Sequence, residues 1–154
     1  MLFDKKCPSN VIFIFNDMHN GNMKLEHFID IGKSVPKNYL VERLNAVNKQ
    51  GITDIDLNTR TYKKGSITLP IYKLSTGERV FLVAAIATFL GVDIYYGRVM
   101  EQLSKPVVDR FLLTFKNSEH VIIHDSVGYF KAREERLDAV SYTHLRAHET
   151  GAYL

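Results

Sequence analysis

Four short stretches of this chain carry residue types that can do chemistry. The first is Leu-Ser-Thr-Gly-Glu-Arg at positions 74–79. Ser75 is a good N-cap, and Glu78 stands three residues on as its capping-box partner. Thr76 and Gly77 are small, so backbone N–H groups at the start of the following helix stay uncovered. Such a terminus attracts anions, because orphan donors and the helix dipole point outward together. On this reading Gly77 keeps side-chain bulk away from a phosphate, and an acid at that position would be mildly favourable to the helix. The second stretch, Gly32-Lys33-Ser34, has the residue types that end a phosphate loop. It equally reads as a helix stopped by Gly32 and a new helix capped by Ser34. The third is His124-Asp125-Ser126, directly after an apolar run. The fourth is Asp17-x-His19, where a strand-like VIFIF run gives way to an Asn-rich turn; an Asp and a His so placed can chelate a hard or borderline cation. Cys7 lies in a polar segment with no evident activating partner, and His27 and His120 read as structural.

The intervening pattern supplies the elements that must position these groups. Asn10–Phe15 is a continuous apolar run suited to a buried strand. Residues 16–22 read as a turn. Met23–Ile31 carries Met23, His27, Phe28 and Ile31 at helical spacing, and Ser34–Asn48 places Leu40, Val41, Leu44 and Val47 on one helical face after an early Pro36. Gly51–Leu74 alternates apolar and polar residues around a Lys-Lys-Gly turn, which reads as a β-hairpin or two short strands. Val80–Leu90 is alanine-rich and apolar on every side, which predicts a buried helix. A short strand (Asp93–Tyr96), a helix (Pro106–Phe115, with Val107, Val108, Phe111, Leu112 and Phe115 inward), a strand (His120–Ile123) and a charged helix (Tyr129–Leu137) complete the series. Helices alternating with short apolar strands indicate an α/β fold, a layered sheet with flanking helices.

Composition bounds the rest. The 154 residues, 45% hydrophobic and 24% charged, suit one domain. A net charge of +3 with interspersed signs neither requires nor excludes a nucleic-acid partner. One cysteine rules out an internal disulfide framework and leans to a reducing, cytoplasmic setting. The longest apolar run is broken by Asp93 before it could span a bilayer. The last segment, VSYTHLRAHET at 140–150, has no hydrophobic period and resembles the translation of a transposase-type sequencing adapter. The expectation is therefore one α/β domain over residues 1–139, truncated at its C-terminus, followed by a non-native tail at 140–154. For the same reason the i, i+4 pair His144 and His148 is not taken as a metal site.

The hexapeptide LSTGER resembles the signature motif of the ATP-binding cassette superfamily, in particular its SMC-like members. The order around it is similar: signature, apolar helix, short strand, a D-loop-like Leu103-Ser104, helix, strand, and His124-Asp125-Ser126 at the place of the switch histidine. The likeness covers roughly residues 67–130. It implies part of a P-loop ATPase fold, with ATP and Mg²⁺ as cofactors. It also implies a head-to-tail homodimer or an ATPase partner subunit, in which Ser75, Thr76, Gly77 and Glu78 face nucleotide held by the partner. Gly97-Arg98 stands where that family places its acid pair, so the domain is expected to be hydrolysis-deficient. The alternatives are a non-enzymatic α/β interaction protein and a metallophosphoesterase-like fragment. The latter rests on Asp17 and His19, which resemble the first metal motif of calcineurin-like enzymes.

Overall fold

The computed structural model describes residues 1–9, 11, 13–15, 18–47 and 51–149, with the backbone alone at 13–14, 18–24 and 141–149. The strands form two sheets. The first sheet is all parallel and is built from β1 (Leu2–Asp4), β2 (Phe13–Phe15), β6 (Ile94–Tyr96) and β7 (Val121–His124), in the order β1-β7-β6-β2. The second is an antiparallel meander of β3 (Ile52–Asp56), β4 (Thr61–Lys64) and β5 (Ile67–Pro70). The helices are α1 (Met18–Ile31), α2 (Lys37–Asn45), α3 (Thr76–Leu90), α4 (Lys105–Phe115) and α5 (Tyr129–Glu149).

Helix α3 is the axis of the core. It is buried from Gly77 through Ala87, which is why its sequence shows no polar face. Its start is the expected capping box: Glu78 N–H donates to Ser75 Oγ at 3.1 Å, and Ser75 N–H donates to Glu78 Oε1 at 2.8 Å. Its end is Gly91 in the left-handed region, φ 70°. On the sheet side, Tyr96 is fully buried and its hydroxyl donates to the Val80 carbonyl of α3 at 2.6 Å. Phe111 of α4 meets Phe81 of α3 and Tyr96 of β6 edge-on, with centroids 5.4 and 5.5 Å apart.

Several elements depart from the sequence expectation. Leu2–Asp4 forms a strand although its surroundings are polar, because β7 supplies its ladder: Leu2 pairs Ile122 and Asp4 pairs His124. Residues 18–22, expected as turn, are the first part of α1; Leu25, Phe28 and Ile29 bury its C-terminal half, and packing overrides the turn-forming asparagines. The segment after Gly51 makes three strands, not two. Its extra turn contains no glycine. Asp56 Oδ1 accepts from Asn58 N–H at 2.9 Å, and Arg60 takes φ 56°, a conformation expensive for arginine. The same Arg60 reaches Glu26 at 2.7 Å and Asp30 at 3.1 Å, tying the turn to α1. Helix α5 runs to Glu149, past the expected end at Leu137, since no glycine or proline interrupts it before Gly151.

Helix α5 is fastened to α4 by a two-pronged pair: Arg133 Nε and Nη2 donate to the Asp109 carboxylate at 2.8 and 2.7 Å. That hydrogen bonding, against some desolvation and with help from the charges of Arg133 and Lys105, holds the Asp109 carboxyl below its ordinary range. A depressed native pKa means the unfolded chain takes up the proton first as pH falls. The stabilisation is thus present at neutral pH and is lost as pH drops through the ordinary carboxylate range toward the native value. Asp109→Asn is expected to lower the melting temperature at neutral pH, with the gap to the parent closing in acid. Parallel melting curves for the two proteins would show a constant gap if the pair contributed nothing.

Candidate functional site

In an open parallel sheet, ligands gather outside the carboxyl ends of the strands, where loops of adjacent strands part. Here those loops are residues 97–104 after β6 and 125–128 after β7. Gly97 N–H donates to the Phe15 carbonyl at 2.9 Å, carrying the β2–β6 ladder one residue further before the chain turns through a 3-10 segment, Arg98–Gln102. Ser104 then opens α4, with Pro106 in the first turn. On the other side, Asp125 N–H donates to the Asp4 carbonyl at 2.8 Å, and Gly128 at φ 75° lets the chain swing into α5.

Between the two loops lies a cavity of about 380 Å³. Met100, Leu103, Val108 and Phe130 give it apolar walls, and Glu101, Lys105, His124, Asp125 and Ser126 bring polar groups to it. The size and the mixed lining are those of a small-ligand site. Val127 and Tyr129 stand exposed on its rim.

The polar groups are not equally available. Asp125 is buried, and its two carboxylate oxygens accept from Phe130 N–H and Lys131 N–H, each at 3.0 Å, so it caps α5. Acting as a base or metal ligand would cost it that cap. His124 is half-buried, and its Nδ1 lies 2.6 Å from the Tyr95 hydroxyl, the rings meeting edge-on. Its Nε2 is the ring nitrogen left for chemistry. Burial, and then the nearby Cys7 and Asp4, push the Tyr95 phenol above its ordinary pKa, so it stays protonated at neutral pH.

The sequence-derived candidates distribute as follows. Leu103, His124 and Asp125 line the cavity, and Ser104 is exposed at the start of α4 beside it. The signature-like turn adjoins them at the same end of the sheet: the side-chain position at Gly77 lies 4.0 Å from Leu103 Cδ2. That position is closed, however. A Cβ there would sit 3.2 Å from Val107 Cγ1 and 3.3 Å from Val47 Cγ1. The need for glycine at 77 is therefore met by the protein's own packing, and an acid at 77 loses the favourable standing expected from the dipole alone. Glu78 is buried within the capping box and places its carboxylate at the positive end of α3, while Ser75 is exposed and Thr76 half-buried.

Gly32, Lys33 and Ser34 do not make a phosphate loop. They continue α1 as a 3-10 turn instead of joining a strand to a helix, and Lys33 Nζ lies 3.6 Å from Asp30 on the surface. Gly32 faces inward, where a Cβ would meet Ile86 Cδ1 at 2.7 Å and Leu57 Cδ1 at 3.1 Å. Asp17 and the His19 side chain lie outside the described residues. His120, read as structural, has its Nδ1 2.7 Å from Asp93 Oδ1 at the opposite end of the sheet.

Sequence reasoning singled out neither Tyr95 nor Lys105. Tyr95 alternates with the buried Tyr96, and strand alternation places it on the other face, the face of Ile122 and His124. That period-2 signal was available in the IYY run. Among the described residues, no three His, Cys, Asp or Glu side chains group as a metal site, and no helix is long and apolar enough to cross a membrane. Comparison with protein-family models, with curated proteins and with solved structures returns no match.

Proposed function

We propose that this chain is a nucleotide-binding domain of the ATP-binding-cassette kind that binds ATP without hydrolysing it. One observation carries the reading: a ligand-sized cavity opens at the carboxyl end of the parallel sheet, and its lining includes both the D-loop-like Leu103 and the switch-like His124-Asp125. Lys105 contributes a positive charge beside the start of α4, which suits a phosphate chain. Ser75 and Thr76, exposed and half-buried at the start of α3, are the signature-like residues left to meet nucleotide held by a second protomer.

The donor set does not fit a bound Mg²⁺ or an activated water. β6 is followed by Gly97-Arg98, neither of them a carboxylate; the Asp125 carboxylate is committed to capping α5, and Glu101 is then the one other carboxylate in the cavity lining, short of an acid pair. The reading is accordingly one of binding and association, with no turnover.

Isothermal titration with ATP and sedimentation with and without it test this directly. The expected result is saturable binding, a nucleotide-dependent dimer and no phosphate release above background. Lys105→Glu should weaken binding by about tenfold, the range of one lost charge-assisted contact. Lys33→Ala should leave it unchanged. Absence of binding, or binding abolished by Lys33→Ala and kept by Lys105→Glu, would overturn the reading. A scaffold that only contacts other proteins through the Val127–Tyr129 rim would then stand in its place.

A further inference from the structure

We propose that Tyr95 is a positioning residue that holds His124 as the tautomer protonated on Nε2, making the cavity's histidine a hydrogen-bond donor and its ligand an acceptor-rich anion. The second half of this inference rests on the nucleotide reading above; the first half stands on geometry alone. Tyr95 Oη and His124 Nδ1 are 2.6 Å apart, close to the short end for a hydroxyl hydrogen bond. Either group could donate, and the surroundings decide between them. A phenol is a better donor than acceptor, and Tyr95 is buried, so its proton needs a partner. If His124 Nδ1–H donated instead, the phenolic proton would lose the partner this geometry offers. Asp4 of β1 also lies near Tyr95, and its negative charge disfavours the phenolate. The bond therefore runs from Tyr95 O–H to an unprotonated Nδ1, and the ring proton sits on Nε2.

The consequence reaches the ligand. Nδ1 is occupied on the sheet side, while His124 lines the cavity. A neutral imidazole fixed this way presents an N–H donor and no acceptor to whatever enters. Lys105 also lines the cavity, so His124 Nε2–H and the Lys105 ammonium are two donors there; the Asp125 carboxylate is already satisfied by α5, and Glu101 and Ser126 complete the polar lining. Oxygens of a phosphate match the two donors.

The test is long-range proton–nitrogen NMR of the imidazoles in alkaline buffer, where histidines are neutral, on the parent and on Tyr95→Phe, with His124 assigned from His124→Gln. The parent His124 should show the Nε2–H tautomer, and Tyr95→Phe should relax it to a mixture while other histidines stay put. ATP titration of the same proteins should show about tenfold weaker binding for Tyr95→Phe, and the double variant Tyr95→Phe/His124→Gln should lose no more than His124→Gln alone. An Nδ1–H tautomer in the parent, or an unchanged tautomer in Tyr95→Phe, overturns the assignment whatever binds. The expected tautomer together with no ATP binding removes the nucleotide reading and leaves the role of Tyr95 standing. Phenylalanine keeps the ring, and an unchanged amide spectrum away from residue 95 shows that the variant is folded.

Discussion

Gly77→Asp is expected to destabilise the protein by about 2–4 kcal/mol, the sum of overpacking and of burying a charge in a closed site. The residue sits in the first turn of α3, where an acid ordinarily gains from the helix dipole. Three facts reverse that gain. The new Cβ would press on Val47 and Val107 at 3.3 and 3.2 Å. The position is buried, so the carboxylate loses water. Glu78, the neighbouring residue, already sets a carboxylate at this end of the helix, and a second one repels it. Gly77→Ala separates these causes: it keeps the steric pressure, recovers up to about 1 kcal/mol of helix propensity, and should fall within about 1 kcal/mol of the parent. Urea unfolding of the three proteins decides. An aspartate variant as stable as the parent would mean that the N-terminal turn of α3 is open to solvent and free to face a ligand directly.

The larger loss should come from Phe111→Ala, about 3–5 kcal/mol. Phe111 has no exposed surface and its ring is met by Phe81, Tyr96 and Phe115, with centroids 4.9 to 5.5 Å away. It is the point at which α3, α4 and β6 touch, so the cavity left by its removal cannot close without moving a helix. Val108, one turn back along α4, lines the cavity, and on the proposed nucleotide reading the same substitution should also weaken ATP binding. The check is a denaturant midpoint that falls with an unchanged slope. A cost under about 1 kcal/mol would mean that the aromatic cluster is not a packed unit.

What could be read directly from the residues is what depends on near neighbours along the chain. Ser75 and Glu78 close their capping box within one turn, and Gly91 ends α3, so both limits of that helix follow from residue identity. The inward face of α4 reads correctly at Val108, Phe111, Leu112 and Phe115 because helical period and burial agree there. The strands IYY and VIIH are visible as apolar runs, and an α/β layering follows from their alternation with helices. Where partners lie far apart in sequence, only the tertiary structure decides. Leu2–Asp4 is a strand because β7, more than a hundred residues on, pairs with it. Arg60 holds a glycine-like turn because Glu26 and Asp30 of α1 reward its side chain. Gly77 looks like an opening for a phosphate until Val47 and Val107 arrive beside it. The commitment of Asp125 to α5 and the Tyr95–His124 bond were likewise invisible, since nothing within a few residues distinguishes a capping aspartate from a catalytic one. A hydrogen bond within a turn is set by backbone geometry that the residue itself dictates; a contact across the fold exists only after the whole chain has paid its conformational entropy and brought the two surfaces together.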